Sequence, residues 1–264
     1  IMYGRPRPNI MSESHSRSTA FTSSDDSRTG GPLPHAQTFR LGEPLRLESG
    51  VELPGVEIAY ETFGRLRPER DNAVLICHAL SGDSHVARHD AADEPGWWDL
   101  MVGPGRPIDT DRLFVICSNC LGGCRGSTGP DSIHPATGEP YGQDFPTVTI
   151  GDMVEAQRRL VEHLGIGCLL GVIGGSMGGH QALCWAQRYP GYLKGVVPIA
   201  TSPRLTSQAL AFDVVGRNAI LRDPNFRNGR YYDGPGPTVG LALARMIGHI
   251  TYLSRESMKE KFDL

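Results

Sequence analysis

Ser176 stands between a strand-like run and a helix-like run, within Gly174-Gly-Ser-Met-Gly-Gly179. In a strand–turn–helix context, G-x-S-x-G forces the serine into a strained turn that lifts its hydroxyl above the strand ends. Glycines at 174 and 178 remove Cβ atoms that would collide in that turn. We therefore predict that Ser176 is a catalytic nucleophile and that its hydroxyl projects into a protected cavity.

A nucleophilic serine also needs N–H donors for the negative charge that develops on the attacked carbonyl. We predict that these donors are the backbone N–H groups of Met177 and Leu80. Leu80 belongs to the loop His78-Ala-Leu-Ser-Gly82, which directly follows an apolar run at 73–77. His78 precedes the serine, whereas the base of such a site follows it, so His78 is predicted to be a packed structural residue.

The serine further needs a histidine that accepts its proton and a carboxylate that orients the histidine. Only His180 and His249 follow Ser176. His180 lies one helical turn beyond the serine, and His249 lies inside a helical pattern, so we predict that neither is the base. His249 with Asp233 remains the alternative. We expect the triad acid and base to lie outside this chain, as in a fragment; an inactive remnant is the other interpretation.

Composition excludes several classes of partner. The chain has 264 residues, with 26 lysines and arginines against 29 acidic residues, so no basic surface for nucleic acid is expected. No apolar run approaches the ~18 residues of a membrane-spanning helix. Cys117-x-x-Cys120-x-x-x-Cys124 lacks a second cysteine pair, so we expect free thiols, no metal site and a cytoplasmic protein.

Hydrophobic patterning predicts the elements that position the serine. Apolar and polar residues alternate between Phe39 and Phe63, as in half-exposed antiparallel strands. Four continuous apolar runs predict parallel strands buried on both faces, at 73–77, 113–117, 169–173 and 195–200. Helical spacing predicts helices at 151–164, which starts with Thr149 and Asp152, and from 176 to about 188.

These elements divide the chain into three segments. Residues 1–36 include a run of serine, threonine and charged residues and are predicted to be disordered. Residues 37–203 are predicted to form the core of an α/β fold, with a mostly parallel sheet and antiparallel N-terminal strands. Residues 204–264 contain helical patterns at 204–222 and 238–259, which predict the start of a helical lid. No strand-like run follows, so the sheet is expected to be incomplete at its C-terminal side.

Several motifs in order carry a family resemblance. They are Cys77-His-Ala-Leu-Ser-Gly-Asp-Ser-His-Val-Ala87, Gly96-Trp-Trp-Asp99, Asn119-Cys-Leu-Gly-Gly-Cys-Arg-Gly-Ser-Thr-Gly-Pro130, Pro140-Tyr-Gly-Gln-Asp-Phe-Pro146 and Leu243-Ala-Arg-Met-Ile-Gly-His-Ile-Thr-Tyr252. With the serine motif, they closely resemble the homoserine O-acetyltransferase family of the α/β-hydrolase superfamily over residues 39–264. The resemblance implies the α/β-hydrolase fold and a homodimer joined through the lid helices.

The same resemblance implies a ping-pong reaction of methionine biosynthesis. Ser176 would take an acetyl group from acetyl-CoA, as co-substrate and with no bound cofactor, and pass it to the hydroxyl of L-homoserine. Arg245 and Tyr252 would hold the amino acid; seven residues apart on a helix, they share one face, and a guanidinium can grip a carboxylate. Their alternative role is packing on the helix surface. Open alternatives for the activity are a succinyl donor, a serine acceptor or an esterase.

Overall fold

The computed structural model describes residues 33–263; most of the segment predicted to be disordered, residues 1–32, lies outside them. Within the described residues there are ten strands. They are β1 (Gln37–Arg40), β2 (Leu45–Arg46), β3 (Glu52–Leu53), β4 (Glu57–Phe63), β5 (Ala73–Cys77), β6 (Val102–Gly103), β7 (Ile108–Asp109), β8 (Phe114–Ser118), β9 (Gly171–Gly175) and β10 (Val196–Ile199).

Six of these strands form the main sheet in the order β1-β4-β8-β5-β9-β10. β1 and β4 pair antiparallel, β4 and β8 do the same, and the remaining neighbours are parallel. The predicted mostly parallel sheet with antiparallel N-terminal strands is therefore confirmed. Cys77 of β5 is aligned with Gly174 of β9, so the loops that follow these two strands leave the sheet side by side.

Five α-helices are described, namely α1 (Ile150–His163), α2 (Met177–Arg188), α3 (Ser207–Leu221), α4 (Thr238–Tyr252) and α5 (Arg255–Phe262). The predicted start of α1 is confirmed, because Thr149 and Asp152 form a reciprocal capping box. The single helical run expected at 238–259 is wrong. Leu253 is extended and the Ser254 side chain caps a new helix, so the run divides into α4 and α5. None of these helices combines the length and apolar character that crossing a membrane requires.

The apolar core lies on both faces of the sheet. On one face, Leu75 and Ile116 belong to the same buried cluster as Leu160 of α1 and Trp185 of α2. On the other face, Ile76 packs in a second cluster with residues of the 86–108 segment. Successive residues of β5 thus point to opposite sides, as the buried run at 73–77 predicted.

The prediction of a strand buried on both faces is wrong at 195–200. β10 is the edge strand of the described sheet, and Val197 and Ile199 are exposed because no described strand covers its outer side. α3 and α4 pack against each other, and no strand follows β10 among residues 33–263. The expected incomplete sheet is present in the described chain, while the boundary at 203 stays a prediction.

Candidate active site

Ser176 occupies the tight turn between β9 and α2. Its backbone angles are φ 53° and ψ −116°, in a region that side-chain-bearing residues rarely adopt. The N–H of Ser176 donates to the Ile199 carbonyl at 3.0 Å, and its carbonyl accepts from the N–H groups of Gly179 and His180. Hydrogen bonds on both sides therefore hold the serine in the strained turn that the glycine-serine pattern predicted.

Two glycines allow the chain to approach itself closely at this turn. A Cβ on Gly174 would lie 2.1 Å from the Gly178 carbonyl oxygen, and a Cβ on Gly178 would lie 2.0 Å from the Cys77 carbonyl oxygen. No side chain fits at either position without movement of the backbone. The first turn of α2 thus rests directly on the carboxyl end of β5.

This contact brings the first turn of α2, which begins at Met177, beside the start of the loop that contains Leu80. Met177 is the first residue of α2, so its N–H has no acceptor within the helix. Leu80 is the second residue of a turn closed by a 3.0 Å hydrogen bond from Gly82 N–H to the Ala79 carbonyl. That turn begins beside α2, since a Cβ on Gly178 would also be 2.9 Å from the His78 carbonyl oxygen. The donor roles of Met177 and Leu80 stay predictions.

His78 is buried and anchors the loop that carries Leu80. Its Nδ1 lies 2.7 Å from the Ala79 carbonyl oxygen, and its Nε2 accepts from Cys120 N–H at 3.0 Å. Because a carbonyl oxygen only accepts, Nδ1 carries the hydrogen and the ring is neutral. The histidine joins the loop after β5 to the loop after β8, which confirms its predicted structural role.

A pocket of 410 Å³ lies beside the elbow. Its lining residues are Cys77, Ala79, Ser81, Gly82, Trp97, Trp98, Gly175 and Ile199. Ser176 itself is exposed, so the expected protected cavity is wrong for the described residues. The reason is that the described sheet ends at β10, and α3 and α4 pack on each other rather than over the serine.

Sequence reasoning missed the two tryptophans as pocket residues. Their rings stack with centroids 5.6 Å apart, and the Trp97 indole N–H donates to the Asp83 carbonyl at 3.0 Å. The only signal for them in the sequence was the aromatic pair within Gly96-Trp-Trp-Asp99. Nothing in their spacing from Ser176 indicates that the fold brings them to the same pocket.

Arg245 and Tyr252 lie on α4, as the helical pattern predicted, but their substrate-binding role stays a prediction. Both are exposed, and 82% of the Tyr252 surface is accessible. No described contact brings either side chain to Ser176.

The remaining acid–base candidates are also dispersed. His180 lies on α2, His249 is exposed on α4, and Asp233 accepts a 2.6 Å hydrogen bond from Arg227. This bond from Arg227 lowers the pKa of Asp233. Asp233 is therefore paired with an arginine, and no described contact joins it to His249.

The cysteines agree with the expected free thiols. All six are unpaired, and Cys77, Cys117 and Cys120 are buried. Burial raises the pKa of the Cys77 thiol, which therefore stays protonated near neutral pH.

With this geometry established, residues 72–262 match the family model described as the alpha/beta hydrolase fold. The chain belongs to the alpha/beta hydrolase family. A solved homoserine O-acetyltransferase from Bacillus anthracis superposes with a TM-score of 0.80 at 34% identity, over 86% of this chain and 63% of that one. An esterase superposes with a TM-score of 0.78 at 36% identity, over the same shares of the two chains.

Curated relatives support the resemblance of the motifs to one group within this family. A homoserine O-acetyltransferase from Solidesulfovibrio magneticus is 61% identical over 222 residues, which are 83% of this chain and 56% of that protein. A homoserine O-succinyltransferase from Magnetococcus marinus is 54% identical over 237 residues, 86% of this chain and 60% of that protein. The chain thus spans a little over half the length of these relatives.

Proposed function

We propose that this chain is part of an enzyme that transfers an acetyl group from acetyl-CoA to the hydroxyl of L-homoserine, in methionine biosynthesis. The observation that carries the proposal is the strained Ser176 turn, seated against the end of β5 beside the loop that contains Leu80. It occurs in a chain 61% identical to a homoserine O-acetyltransferase. Ser176 attacks the thioester carbonyl, coenzyme A leaves as the thiol, and the acyl-serine then passes its acetyl group to homoserine.

In this mechanism the N–H groups of Met177 and Leu80 stabilise the oxyanion formed in each half-reaction. Arg245 binds the homoserine carboxylate and Tyr252 helps to hold the amino acid. We propose that His180, His249 and Asp233 do not provide the base and acid of the triad, because no described side-chain contact joins any of them to Ser176 and Asp233 is paired with Arg227. We propose that the base and acid come from sequence other than residues 33–263.

The pocket beside Ser176 favours acetyl over succinyl as the transferred group. Its lining is mainly apolar and includes no charged side chain. A succinyl group carries a carboxylate, whose burial without a positive partner is unfavourable. A succinyl donor and a serine acceptor remain the alternatives within the same scaffold.

The test uses the protein encoded by the complete gene. Acetyl-CoA is supplied with and without L-homoserine, while CoA release, O-acetylhomoserine and the mass of the intact protein are followed. We expect homoserine-dependent CoA release and, without homoserine, one acetyl group on Ser176 that the Ser176→Ala variant lacks. Succinyl-CoA and L-serine are compared as competing substrates. Absence of any adduct would identify an inactive remnant.

An esterase is the second candidate, and the likeness to a solved esterase favours it. The two candidates differ in how the acyl-serine is resolved. An esterase releases acetate as fast without homoserine as with it, whereas the transferase must exclude water from the acyl-serine. The ratio of acetate to O-acetylhomoserine therefore separates them.

We also propose that the protein is a cytoplasmic homodimer joined through its lid helices. Val239, Leu243, Met246 and Ile250 are all exposed and repeat along α4 at alternating spacings of four and three residues. This repeat is the pattern of a helix that packs against another helix. The six free cysteines suit a reducing compartment.

A further inference from the structure

A second cluster of reactive side chains lies away from Ser176, around Glu61 of β4. The Glu61 side chain has 0% of its surface exposed. Its Oε2 lies 3.0 Å from His85 Nδ1 and 2.8 Å from His89 Nε2. The other oxygen, Oε1, accepts a 3.0 Å hydrogen bond from the Ser84 hydroxyl. Two imidazole nitrogens thus converge on a single carboxylate oxygen while the second oxygen is occupied.

The orientation of the His85 ring is fixed by the contact of its second nitrogen, Nε2. Nε2 lies 2.9 Å from the Glu94 carbonyl oxygen, which can only accept, so Nε2 carries a hydrogen. Nδ1 is left to face Glu61. A histidine that donates one ring N–H to a backbone carbonyl while its other nitrogen faces a carboxylate has the orientation typical of a metal ligand.

The ring of His89 is also held in place. It stacks on Phe63 with centroids 4.4 Å apart, and His35 packs on it with the same separation. Its side chain is 24% exposed, against 14% for His85, so an ion in solution can reach the cluster from the His89 side.

The charge of the cluster favours the binding of a cation. A buried carboxylate must be neutralised, either by protons on the two imidazoles or by a metal ion. Full protonation would place two imidazolium rings with centroids 6.2 Å apart, at a cost in repulsion. Asp93 adds negative charge nearby, with Oδ2 3.8 Å from His85 Nε2 and Oδ1 3.5 Å from His35 Nε2. One divalent ion replaces both protons and avoids that repulsion.

We propose that Glu61, His85 and His89 form a binding site for a divalent transition-metal ion of the zinc class. The ligand atoms are Glu61 Oε2, His85 Nδ1 and His89 Nε2, and a nitrogen that holds a hydrogen must give it up before it can bind the metal. Two histidines and one carboxylate are a donor set that zinc uses. Tetrahedral ligand atoms lie about 3.3 Å apart at zinc distances. The two nitrogens lie 3.0 and 2.8 Å from Glu61 Oε2, so both must move slightly outward, and all three ligand atoms already lie within 4.8 Å of one another.

The metal acts on structure rather than on the acyl group, and the proposal is independent of the acyl-transfer function. It joins β4 to the segment that begins at Ser84. That segment is hydrogen-bonded to a residue that lines the pocket, because the backbone N–H of Trp97 donates to the His85 carbonyl at 3.1 Å. The cysteine spacing predicted no metal site, and this site contains no cysteine. Glu61 and His85 are 24 residues apart in the chain and meet only in the fold.

The test measures zinc binding to the full chain after treatment with a chelator. Isothermal titration calorimetry in two buffers gives the stoichiometry, the affinity and the protons released, and thermal unfolding is followed with and without zinc. We expect one high-affinity zinc site that raises the Tm, with proton release. Cobalt(II) should give the visible absorption of a low-symmetry site with nitrogen and oxygen ligands.

The matched variants are His89→Gln, at the accessible ligand, and His163→Gln, at an exposed histidine of α1. His89→Gln should lower the zinc affinity by about 100-fold and remove the rise in Tm. His163→Gln should leave both unchanged. Circular dichroism of the zinc-free proteins shows whether each variant is folded. The absence of zinc binding in the wild type, or equal affinity in wild type and His89→Gln, would overturn the proposal.

Discussion

At the scale of single residues, the backbone of Ser176 combines a positive φ with hydrogen bonds on both sides. Such a conformation costs free energy for any residue with a Cβ and persists because the surrounding structure holds it. A pattern of glycines around a serine is enough to predict this strain, because all its determinants lie within six consecutive residues. The residues that lie opposite the serine in the fold are distant in the sequence, so a local pattern cannot predict them.

Replacing Ser176 with glycine should therefore separate stability from activity. Glycine adopts a positive φ without strain. The free energy of unfolding of Ser176→Gly should therefore be about 1 kcal/mol higher than that of Ser176→Ala. Both variants lack the hydroxyl of the proposed nucleophile, so CoA release should fall by about 1000-fold or more. Urea unfolding and the CoA-release assay measure the two effects. Equal stability of the two variants would contradict the strain argument.

Gly178 offers a second test at this scale. A Cβ there would lie 2.0 Å from the Cys77 carbonyl oxygen, so Gly178→Ala should lower the free energy of unfolding by about 3 kcal/mol. Gly167→Ala is the matched control, because its Cβ meets nothing within 4 Å and its φ is not positive. The control should change stability by less than about 0.5 kcal/mol. Denaturant unfolding of both variants decides whether the close contact exists.

At the scale of elements, α1 shows how much of the fold local sequence can predict. The capping box and the apolar face of α1 are encoded within the helix and were predicted correctly. The sequence does not predict the exposure of β10 or the helix break at Leu253. The position of a strand at the edge of a sheet depends on distant strands, and the helix break depends on one extended residue.

The contacts of Glu155 on α1 make the stability of the fold depend on pH. Burial acts to raise the pKa of Glu155, but hydrogen bonds from Arg158, Tyr189 and Arg159 outweigh it and lower the pKa to about 2. Because the folded-state pKa lies below the ordinary value of 4.5, this contribution to stability is complete above that pH. It is lost as the pH falls towards 2.

Glu155→Gln should therefore lower the free energy of unfolding by about 2 kcal/mol at pH 7, after allowance for solvent screening. The difference from wild type should shrink between pH 4.5 and pH 2. Glu69→Gln, at an exposed glutamate, is the control and should show no such difference. Urea unfolding across this range of pH makes the comparison. A difference that stays constant with pH would exclude the ionic contribution.

At the scale of the whole molecule, the candidate active site is assembled from parts that are far apart in the chain. The elbow, the loop of Leu80 and the tryptophans of the pocket come from three different segments. The strand–turn–helix motif predicts the elbow, and the position of the Leu80 loop directly after the 73–77 strand predicts the second donor. The place of the tryptophans in the pocket requires the folded chain. Only the three-dimensional structure shows that Gly178 and Cys77 touch.

The exposed stripe on α4 predicts the behaviour of the molecule in solution. Ile250 is 63% exposed and lies at the end of the Val239, Leu243, Met246 repeat. Ile250→Glu should convert the proposed dimer into a monomer, because a charge in a helix–helix seam is costly to bury. Ile133→Glu, at an exposed isoleucine in a loop, should leave the dimer intact. Light scattering after gel filtration gives both masses, and a wild-type monomer would refute the dimer.

The contact of α2 with β5 has a consequence for redesign of the proposed transferase. Because the Cys77 carbonyl fills the place of a side chain on residue 178, the turn of Ser176 and the loop that contains Leu80 are held together beside the pocket. A substitution that enlarges the pocket at this contact would displace the Ser176 turn and the Leu80 loop together. Space for bulkier acyl donors is therefore better created at Trp97 and Trp98, by replacing these pocket residues with smaller ones.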